Sequence, residues 1–357
     1  MTTRLHDLGE KAFIAQLLAG LRPATSFVNG FGHDASIVDL GLADALLVMK
    51  IDRAAQPIAA IRGWTDFKLW GRLAVTANCS DILAIGGEPK ALMLSMCLPG
   101  DWQAHAAEDI VLGCQEECER RGVAFLGGDT KEAPQPQVVA SAIGLIPRGR
   151  VVRRHEANVG DVILYAGQLG GYLGAYFQLA AGHPMSDNDR ARLIDYVARP
   201  TARWGESALI YATGTPSAAI DCSDGLMDVF DGLVPAGLGI DLVVEAIPLH
   251  RFARDAAAAL GLPAFNLAFG VGDWGIGFAV SPAHADALLA RVATTGDGIT
   301  ISRIGRVTAE PGIFATDSQT GKRFAVTGVV NEHFRARMED QGDFMQAVSK
   351  LVALTPV

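Results

Sequence analysis

The sequence lacks the features that mark secreted, membrane-bound or nucleic-acid-binding proteins. Its five cysteines, an odd number among 357 residues, do not resemble a disulfide framework. No apolar run reaches the roughly 20 uncharged residues of a membrane helix, and the N-terminus has no secretory signal pattern. The formal charge is -9 without any strongly basic block, which argues against general nucleic-acid binding. We therefore expect a cytoplasmic protein whose partners are small molecules.

The composition is that of a compact protein with room for two domains. Half of the residues are hydrophobic and 19% are charged, which is typical of a globular chain with a large core. Cys114 and Cys118 are spaced four apart in a helical stretch, but a zinc site would need further Cys or His ligands nearby. Buried, reduced thiols are therefore favoured over a zinc site.

Aspartates recur where apolar stretches end. The five segments are Gly32-His33-Asp34, Lys50-Ile51-Asp52, Asn78-Cys79-Ser80-Asp81, Gly127-Gly128-Asp129-Thr130 and Asp221-Cys222-Ser223-Asp224-Gly225. Because the ends of several elements can converge in one cleft, these carboxylates could share a site. Carboxylates gathered in this way repel one another and usually need divalent cations, most often Mg²⁺ between aspartate oxygens and substrate phosphates. The pattern predicts a magnesium-dependent phosphate site.

The segment Gly127-Gly128-Asp129-Thr130 follows a predicted strand over residues 123–126. Its glycines would let backbone N–H groups approach a phosphate, while Asp129 could hold a bridging cation and Thr130 could add a hydroxyl. A plain turn explains the same residues equally well.

Two other segments carry more polar groups than local structure requires. Ser223 or Asp224 could simply cap a helix, but two carboxylates flanking a serine exceed the needs of a cap. Asp81 lies within a predicted helix over residues 64–85, where a buried charge would be costly without pairing or metal contact. No convincing Ser-His-Asp or Cys-His arrangement is present, which fits direct phosphoryl transfer.

The periodicity predicts an α+β protein of two domains. After an amphipathic helix over residues 9–21, the order strand-strand-helix-strand-helix-strand-strand forms a module of about 150 residues. We place the boundary in a polar stretch, so that the domains span residues 1–148 and 149–357. The second domain is also α+β, and residues 332–354 are predicted to be mostly helical.

Taken in order, these motifs resemble a family of ATP-binding enzymes that includes aminoimidazole ribonucleotide synthetase, selenophosphate synthetase, the hydrogenase maturation factor HypE and thiamine-monophosphate kinase. The pattern is most similar to that of thiamine-monophosphate kinase. The resemblance extends from about Leu8 to Val307 and is specific as a set, although each piece alone is weak.

The resemblance implies a fold and an activity. The N-terminal sheet would pair with that of a second subunit to form a homodimer, and ATP would lie in the cleft between the two domains. The enzyme would be an ATP- and Mg²⁺-dependent phosphotransferase that converts thiamine phosphate and ATP to thiamine diphosphate and ADP. Because the acceptor is an ionised phosphate, no strong general base would be needed.

The resemblance also implies a set of site residues. Magnesium and phosphate-site residues would be Asp34, Asp52, Asp81, Asp129 and Asp224; residues lining the nucleotide phosphates would be Gly127, Gly128, Thr130 and Arg154; catalytic residues at the transfer site would be Ser223 and Asp224; and residues near the acceptor would be Asp273 and Trp274.

Two departures from the family pattern leave alternatives open. The first aspartate pair of the family is His33-Asp34 here, and its Gly-Gly-Glu-Asp-Tyr-Glu segment reads Gly270-Val271-Gly272-Asp273-Trp274-Gly275. The nucleotide half therefore resembles the family more closely than the acceptor half. One alternative is an ATP-dependent enzyme that phosphorylates or activates another small molecule, such as an amide or a carboxylate. A second alternative is a non-catalytic nucleotide-binding protein.

Overall fold

Two β-sheets, formed by successive parts of the chain, organise the fold. The computed structural model describes residues 4–182, 184–296, 298–328 and 352–357. The first part of the chain contains strands β1 (Ser36–Val38), β2 (Ala45–Arg53), β3 (Glu88–Leu98), β4 (Ala124–Glu132) and β5 (Gln137–Pro147). Its helices are α1 (Leu5–Leu8), α2 (Glu10–Ala19), α3 (Ile58–Ile61), α4 (Lys68–Ala84) and α5 (Ala104–Arg121).

The first sheet has the strand order β1-β2-β5-β3-β4, and only β3 and β4 run parallel. Alternation along β2 buries Leu46 and Val48 against α4, while Met49 and Ile51 point to the other face. Helices α4 and α5 approach closely through glycine. A Cβ on Gly71 would lie 2.0 Å from the carbonyl oxygen of Ile110, so only glycine fits at this contact.

The second part of the chain contains a larger sheet. Its strands are β6 (Val162–Ala166), β7 (Ala218–Cys222), β8 (Gly239–Val243), β9 (Gly275–Val280), β10 (Ile301–Thr308), β11 (Gly312–Thr316), β12 (Arg323–Gly328) and β13 (Val352–Pro356). Its helices are α6 (Gly171–Ala180), α7 (Asp187–Ala198), α8 (Trp204–Thr213), α9 (Leu226–Leu233), α10 (Arg251–Leu260) and α11 (Pro282–Thr294), with 3-10 turns at Val244–Ala246 and Ala264–Phe269. The strand order is β13-β12-β11-β8-β10-β6-β9-β7.

The end of α4 docks against the second part of the chain. The hydroxyl of Ser207 donates a 2.7 Å hydrogen bond to the carbonyl of Leu83, and the hydroxyl of Tyr211 donates one of 2.5 Å to that of Ala84. These bonds satisfy carbonyl groups that have no partner within the helix because they lie at its C-terminus. The last turns of α4 are thereby held beside β7, which carries Asp221.

The expected α+β fold is confirmed, with three qualifications. The segment from Gly127 to Thr130 does not form the expected turn, because β4 continues through it to Glu132. The helix predicted over 332–354 falls mostly outside the described residues, and its last three positions lie in β13 instead. The boundary between residues 148 and 149 stays a prediction, although the first sheet ends at Pro147 and the second begins at Val162. Among the described residues, no helix is long and apolar enough to cross a membrane.

Candidate active site

Three buried carboxylates converge between the two sheets. Asp34, Asp81 and Asp221 each offer a carboxylate oxygen within 4.8 Å of the others, and only 2%, 4% and 7% of these residues is exposed. We call this trio the acidic cluster. Its members come from a loop before β1, from the last turn of α4 and from the end of β7. Three aspartates from elements distant in sequence are therefore brought together.

The loop that carries Asp34 is fixed by a buried asparagine. The side chain of Asn29 donates to the carbonyl of Ala35 and accepts from the backbone N–H of Ile37, both at 2.8 Å. Between these anchors, Gly30 and Gly32 adopt positive φ angles that glycine tolerates best. The loop thus aims the Asp34 carboxylate inward.

Two side-chain cations neutralise part of the charge of the acidic cluster. The ammonium group of Lys50 lies 2.9 Å from Asp81 and 3.7 Å from Asp52. The guanidinium of Arg154 donates to Asp34 through Nε at 2.7 Å and also through Nη2. Arg154, which the resemblance placed near the nucleotide phosphates, therefore contacts the acidic cluster directly.

The electrostatics of the acidic cluster follow from its burial. Burial raises the pKa of Asp81 to about 7, with Asp34 and Asp52 adding to the effect and Lys50 opposing it. Burial, together with the charges of Asp81 and Asp34, raises the pKa of Asp221 well above its usual range. Burial alone would lower the pKa of Lys50, but Asp81 and Asp52 outweigh it and raise that pKa. Lys50 is therefore charged, while the carboxylates need more positive charge to ionise fully.

The donor set fits a divalent cation that prefers oxygen. Asp34 Oδ2 is buried and has no hydrogen-bond partner among the described residues, which leaves one carboxylate oxygen available to a cation. Carboxylate oxygens at this spacing suit Mg²⁺, which prefers hard ligands and binds through one or a few carboxylates. A bound ion would also favour ionisation of Asp81 and Asp221.

The polar residues before Asp81 connect the acidic cluster to its surroundings. The hydroxyl of Ser80 donates a 3.2 Å hydrogen bond to Asp221 Oδ2, which links α4 to β7. The amide of Asn78 donates to the carbonyl of Ala74 at 2.9 Å, and its buried Oδ1 has no partner among the described residues. The charge of Asp81, which is costly to bury within this helix, is paired with Lys50.

His33, which stands where the family pattern has an aspartate, contacts the backbone. Its Nδ1 accepts a 3.2 Å hydrogen bond from the backbone N–H of Arg154. Burial and the nearby Arg153 lower the pKa of His33, which favours the neutral ring that this bond requires. His33 therefore positions Arg154 beside Asp34.

Asp52 and Asp129 lie outside the acidic cluster. Asp52 is partly exposed and reaches it only through Lys50. Asp129 is 65% exposed at its side chain and lies 3.8 Å from Lys131. It pairs with Ser95 of β3, whose side chain is on the face of the sheet that α4 does not cover. In a single chain, Asp129 is therefore not brought to the other predicted magnesium ligands.

The glycines before Asp129 serve the sheet. Gly127 has φ 83°, and β3 and β4 change register between Leu92 and Leu94. A Cβ on Gly128 would lie 1.5 Å from the carbonyl oxygen of Leu94, so no other residue fits. Across β5 and β3, Gly128 lies three strands from Asp52, which corresponds to about 14 Å. Thr130 is exposed one residue beyond Asp129.

The turn that contains Ser223 and Asp224 packs against residues 270–275. The hydroxyl of Ser223 donates to Asp224 Oδ2 at 3.1 Å, and the backbone N–H of Gly272 donates to the carbonyl of Ser223 at 2.9 Å. A Cβ on Gly225 would lie 2.5 Å from the carbonyl oxygen of Phe269. The predicted transfer residues and the predicted acceptor residues therefore lie side by side, next to Asp221.

Asp273 is directed into the protein. It is buried and accepts hydrogen bonds from the backbone N–H groups of Gly170 and, at 3.0 Å, Tyr172, at the start of α6. Burial raises the pKa of Asp273 to about 6, which those N–H groups oppose. Trp274 is also buried and has φ 49°, a conformation that costs a non-glycine residue about 1–3 kcal/mol. Asp273 therefore holds α6, and the strain at Trp274 marks a constrained backbone.

The two glycines that replace family glutamates are enclosed by tyrosines. A Cβ on Gly275 would lie 2.0 Å from the hydroxyl oxygen of Tyr165, and one on Gly272 would lie 2.7 Å from Cδ1 of Tyr172. Among the described residues, the buried hydroxyl of Tyr165 has no hydrogen-bond partner of ordinary geometry. Aromatic volume thus fills the space into which side chains at these positions would project.

Two members of the site were not among the predicted residues. Asp221 lies in one of the five acidic segments, but the family resemblance points to Asp224 of that segment instead. Lys50 is two residues before Asp52, so a period of two places both on the same face of β2. That alternation was the available signal for Lys50.

Comparisons with known proteins identify the family of the chain. Residues 32–146 match the family model described as AIR synthase related protein, N-terminal domain. Thiamine-monophosphate kinase of Mycobacterium tuberculosis is 33% identical over 262 residues, which cover 72% of this chain and 76% of the relative. The chain belongs to the thiamine-monophosphate kinase family. The Synechococcus elongatus member of that family is 27% identical over 331 residues, covering 86% of this chain and 91% of the relative.

A solved structure supports the same fold. AaThiL in complex with AMPPCP and TMP superposes with a TM-score of 0.73 at 24% identity, covering 88% of this chain and 96% of AaThiL. The family fold therefore extends over most of the chain.

Proposed function

We propose that this chain is an ATP-dependent kinase that transfers a phosphoryl group to thiamine phosphate, giving thiamine diphosphate and ADP. Family membership supplies the reaction, since the mycobacterial relative is a thiamine-monophosphate kinase. The observation that carries the proposal to this chain is the convergence of Asp34, Asp81 and Asp221 in a buried site. A cluster of this kind is what phosphoryl transfer between two anionic phosphates needs.

Mg²⁺ is the metal that the acidic cluster fits best. When bound, it would neutralise charge on the donor and acceptor phosphates. Asp34, Asp81 and Asp221 would hold it, with Arg154 keeping Asp34 in place and Ser80 orienting Asp221. Asp52, Asp129 and Asp224 lie outside the acidic cluster and remain proposed members of the metal and phosphate site.

The other proposed residues position the substrates. Gly127, Gly128 and Thr130 would line the nucleotide phosphates from the edge strand β4. The turn from Ser223 to Asp224 is next to Asp221 of the acidic cluster, which supports a role for its hydroxyl and carboxylate at the transferred phosphate. Because the acceptor phosphate is already ionised, positioning and charge neutralisation do most of the chemistry.

The direct test is ADP release from ATP and Mg²⁺ with thiamine phosphate as the acceptor, with thiamine diphosphate detected by mass. We expect stoichiometric ADP and thiamine diphosphate. ATP binding without thiamine diphosphate formation would overturn the assignment of the acceptor. ATP binding without ADP release for any acceptor would instead support a non-catalytic nucleotide-binding protein.

One observation favours a second candidate, an enzyme of the same superfamily with a different acceptor. Gly272 and Gly275 replace family glutamates, and Tyr172 and Tyr165 fill the adjacent space. A site altered in this way would accept another phosphate, an amide or a carboxylate. A screen of such acceptors by ADP release discriminates: thiamine phosphate inert and another compound active would select this candidate.

We also propose that two chains pair through the first sheet. Helices α4 and α5 cover one face, while the other face exposes apolar side chains: Met49, Ile51, Met93, Leu126 and Ile143. Contiguous exposed apolar patches usually mark an interface. Ile51→Lys should shift the chain from dimer to monomer in sedimentation equilibrium. Val159→Lys, at an exposed apolar position outside this sheet, should not. A monomeric wild type would refute the pairing.

A further inference from the structure

Lys50 occupies a position between two carboxylates that an ion could otherwise take. It is on β2, on the face that packs against α4, and its ammonium group contacts Asp81 at 2.9 Å and Asp52 at 3.7 Å. Asp81 is also a member of the acidic cluster, whereas Asp52 is not. The ammonium group therefore bridges the acidic cluster to an additional carboxylate.

The charges around Lys50 suggest how many metal ions fit. Asp34, Asp52, Asp81 and Asp221 contribute four negative charges when ionised, and Lys50 and Arg154 contribute two positive charges. The remaining charge of two is balanced by one divalent ion. A second ion between Asp52 and Asp81 would have to displace the lysine or lie against a like charge, which is unfavourable at such short range.

The other two lysines on the first sheet do not share this environment. Lys90 and Lys131 also lie near carboxylates of Glu88 and Asp129, but both pairs are on the surface. Exposed pairs of this kind contribute little to stability, whereas a buried pair cannot lose one partner without a large cost. The setting of Lys50 therefore indicates a specific role.

We propose that Lys50 is a built-in cation that takes the place of a second divalent ion, so that the acidic cluster of each chain holds one ion. Lys50 is a positioning residue in this sense, since it fixes Asp81 and limits the number of ions. The inference rests on the proposed function in one respect, that the bound metal is the one used in phosphoryl transfer. The number of ions depends on this chain's own residues.

The test counts Mn²⁺, which prefers the same oxygen ligands as Mg²⁺ and is detected by electron paramagnetic resonance. Without nucleotide, the wild type should bind one tight Mn²⁺ per chain and Lys50→Met should bind two. Lys50→Arg keeps the charge and should bind one. The double variant Lys50→Met with Asp52→Asn removes one cation and one carboxylate, and should also bind one. Two ions or none in the wild type, or an unchanged count in Lys50→Met, would overturn the proposal.

Lys90→Met is the matched control, because it removes the ammonium group of a surface pair on β3 of the same sheet. Its Mn²⁺ count should equal that of the wild type, and a second ion in this variant would contradict a role specific to Lys50. Lys50→Met should melt at a lower temperature than the wild type in EDTA and regain the difference in Mn²⁺. Should it unfold in EDTA, its ions are counted after refolding in Mn²⁺.

The metal count and the proposed function fail separately. A wild type that binds one Mn²⁺ and gains a second in Lys50→Met, yet makes no thiamine diphosphate, would refute the acceptor and leave the role of Lys50 intact. A wild type that makes thiamine diphosphate but already binds two Mn²⁺ per chain would refute the role of Lys50 and leave the assignment of the acceptor intact.

Discussion

The acidic cluster and the segment over residues 270–275 lie next to each other but are constructed in opposite ways. In the acidic cluster, charged side chains from separate elements converge, and cations hold them together. In the segment, glycines stand in place of the two glutamates of the family pattern, and the remaining carboxylate, Asp273, accepts hydrogen bonds from backbone N–H groups. The acidic cluster should therefore respond mainly to changes of charge, and the segment mainly to changes of volume.

The largest effect is expected from charge removal in the acidic cluster. Asp81→Asn removes a carboxylate that contacts Lys50, and kcat should fall by about 10²–10³-fold or more, as for loss of a key electrostatic group. The fold should persist, because Lys50 keeps Asp52 as a partner and burial disfavours the ionised form of Asp81. Steady-state kinetics and thermal melting in EDTA measure both. Asp195→Asn, at an exposed ion pair with Arg199, is the control, and wild-type turnover in Asp81→Asn would remove this residue from the mechanism.

A volume change in the segment should have the next largest effect. Gly275→Ala places a Cβ 2.0 Å from the Tyr165 hydroxyl, and overpacking of this kind costs about 1–3 kcal/mol in the free energy of unfolding. Urea denaturation measures the loss. In a Tyr165→Val background the same substitution should cost less, because the clashing ring is gone.

The matched control for that cycle is Gly20→Ala, where the added Cβ would meet only an ordinary contact of 3.6 Å. Equal costs for Gly275→Ala with and without Tyr165 would show that the two positions are independent. That result would contradict the expectation that the segment responds mainly to changes of volume.

The smallest effect concerns pH and the segment's one carboxylate. The folded pKa of Asp273 is about 6, above its ordinary value of 3.8. Between these values the folded state binds more protons than the unfolded state, so this group lowers stability as pH rises from about 4 to 6. Asp273→Asn should be less stable overall, because its amide would face N–H donors. Its free energy of unfolding should nevertheless fall less steeply over that window, as measured by urea titrations; a parallel profile would contradict the assigned pKa.

The sequence predicts the secondary structure around the site better than the choice of ligands within it. Alternation along β2 places Lys50 and Asp52 on one face, and the apolar helix with Asp81 is evident from its spacing. The choice between Asp221 and Asp224 is not evident from the sequence, because the two carboxylates lie only three residues apart, at the end of the same strand and just beyond it. Only the docking of α4 beside β7, through Ser80, selects Asp221.

The strand through Gly127 and Asp129 shows why local pattern was insufficient. Two glycines before an aspartate favour a turn when considered alone. Pairing with β3, which lies about thirty residues earlier, extends β4 through them because glycine alone permits the close approach to Leu94. Contacts between residues distant in sequence therefore determine that Gly127 to Thr130 form a strand. The same holds for β13, which pairs with β12.

The hydrogen bond between Ser80 and Asp221 has a consequence for folding. Residues 34, 81 and 221 are brought together only when both sheets have formed and α4 has docked, so neither the unfolded chain nor either half alone can present the acidic cluster. An ion that binds only the finished fold stabilises it by RT ln(1 + [ion]/Kd), which is about 2.7 kcal/mol at a hundredfold excess over Kd. If the acidic cluster binds its ion as proposed, the supply of divalent metal would thus control the stability of the whole fold.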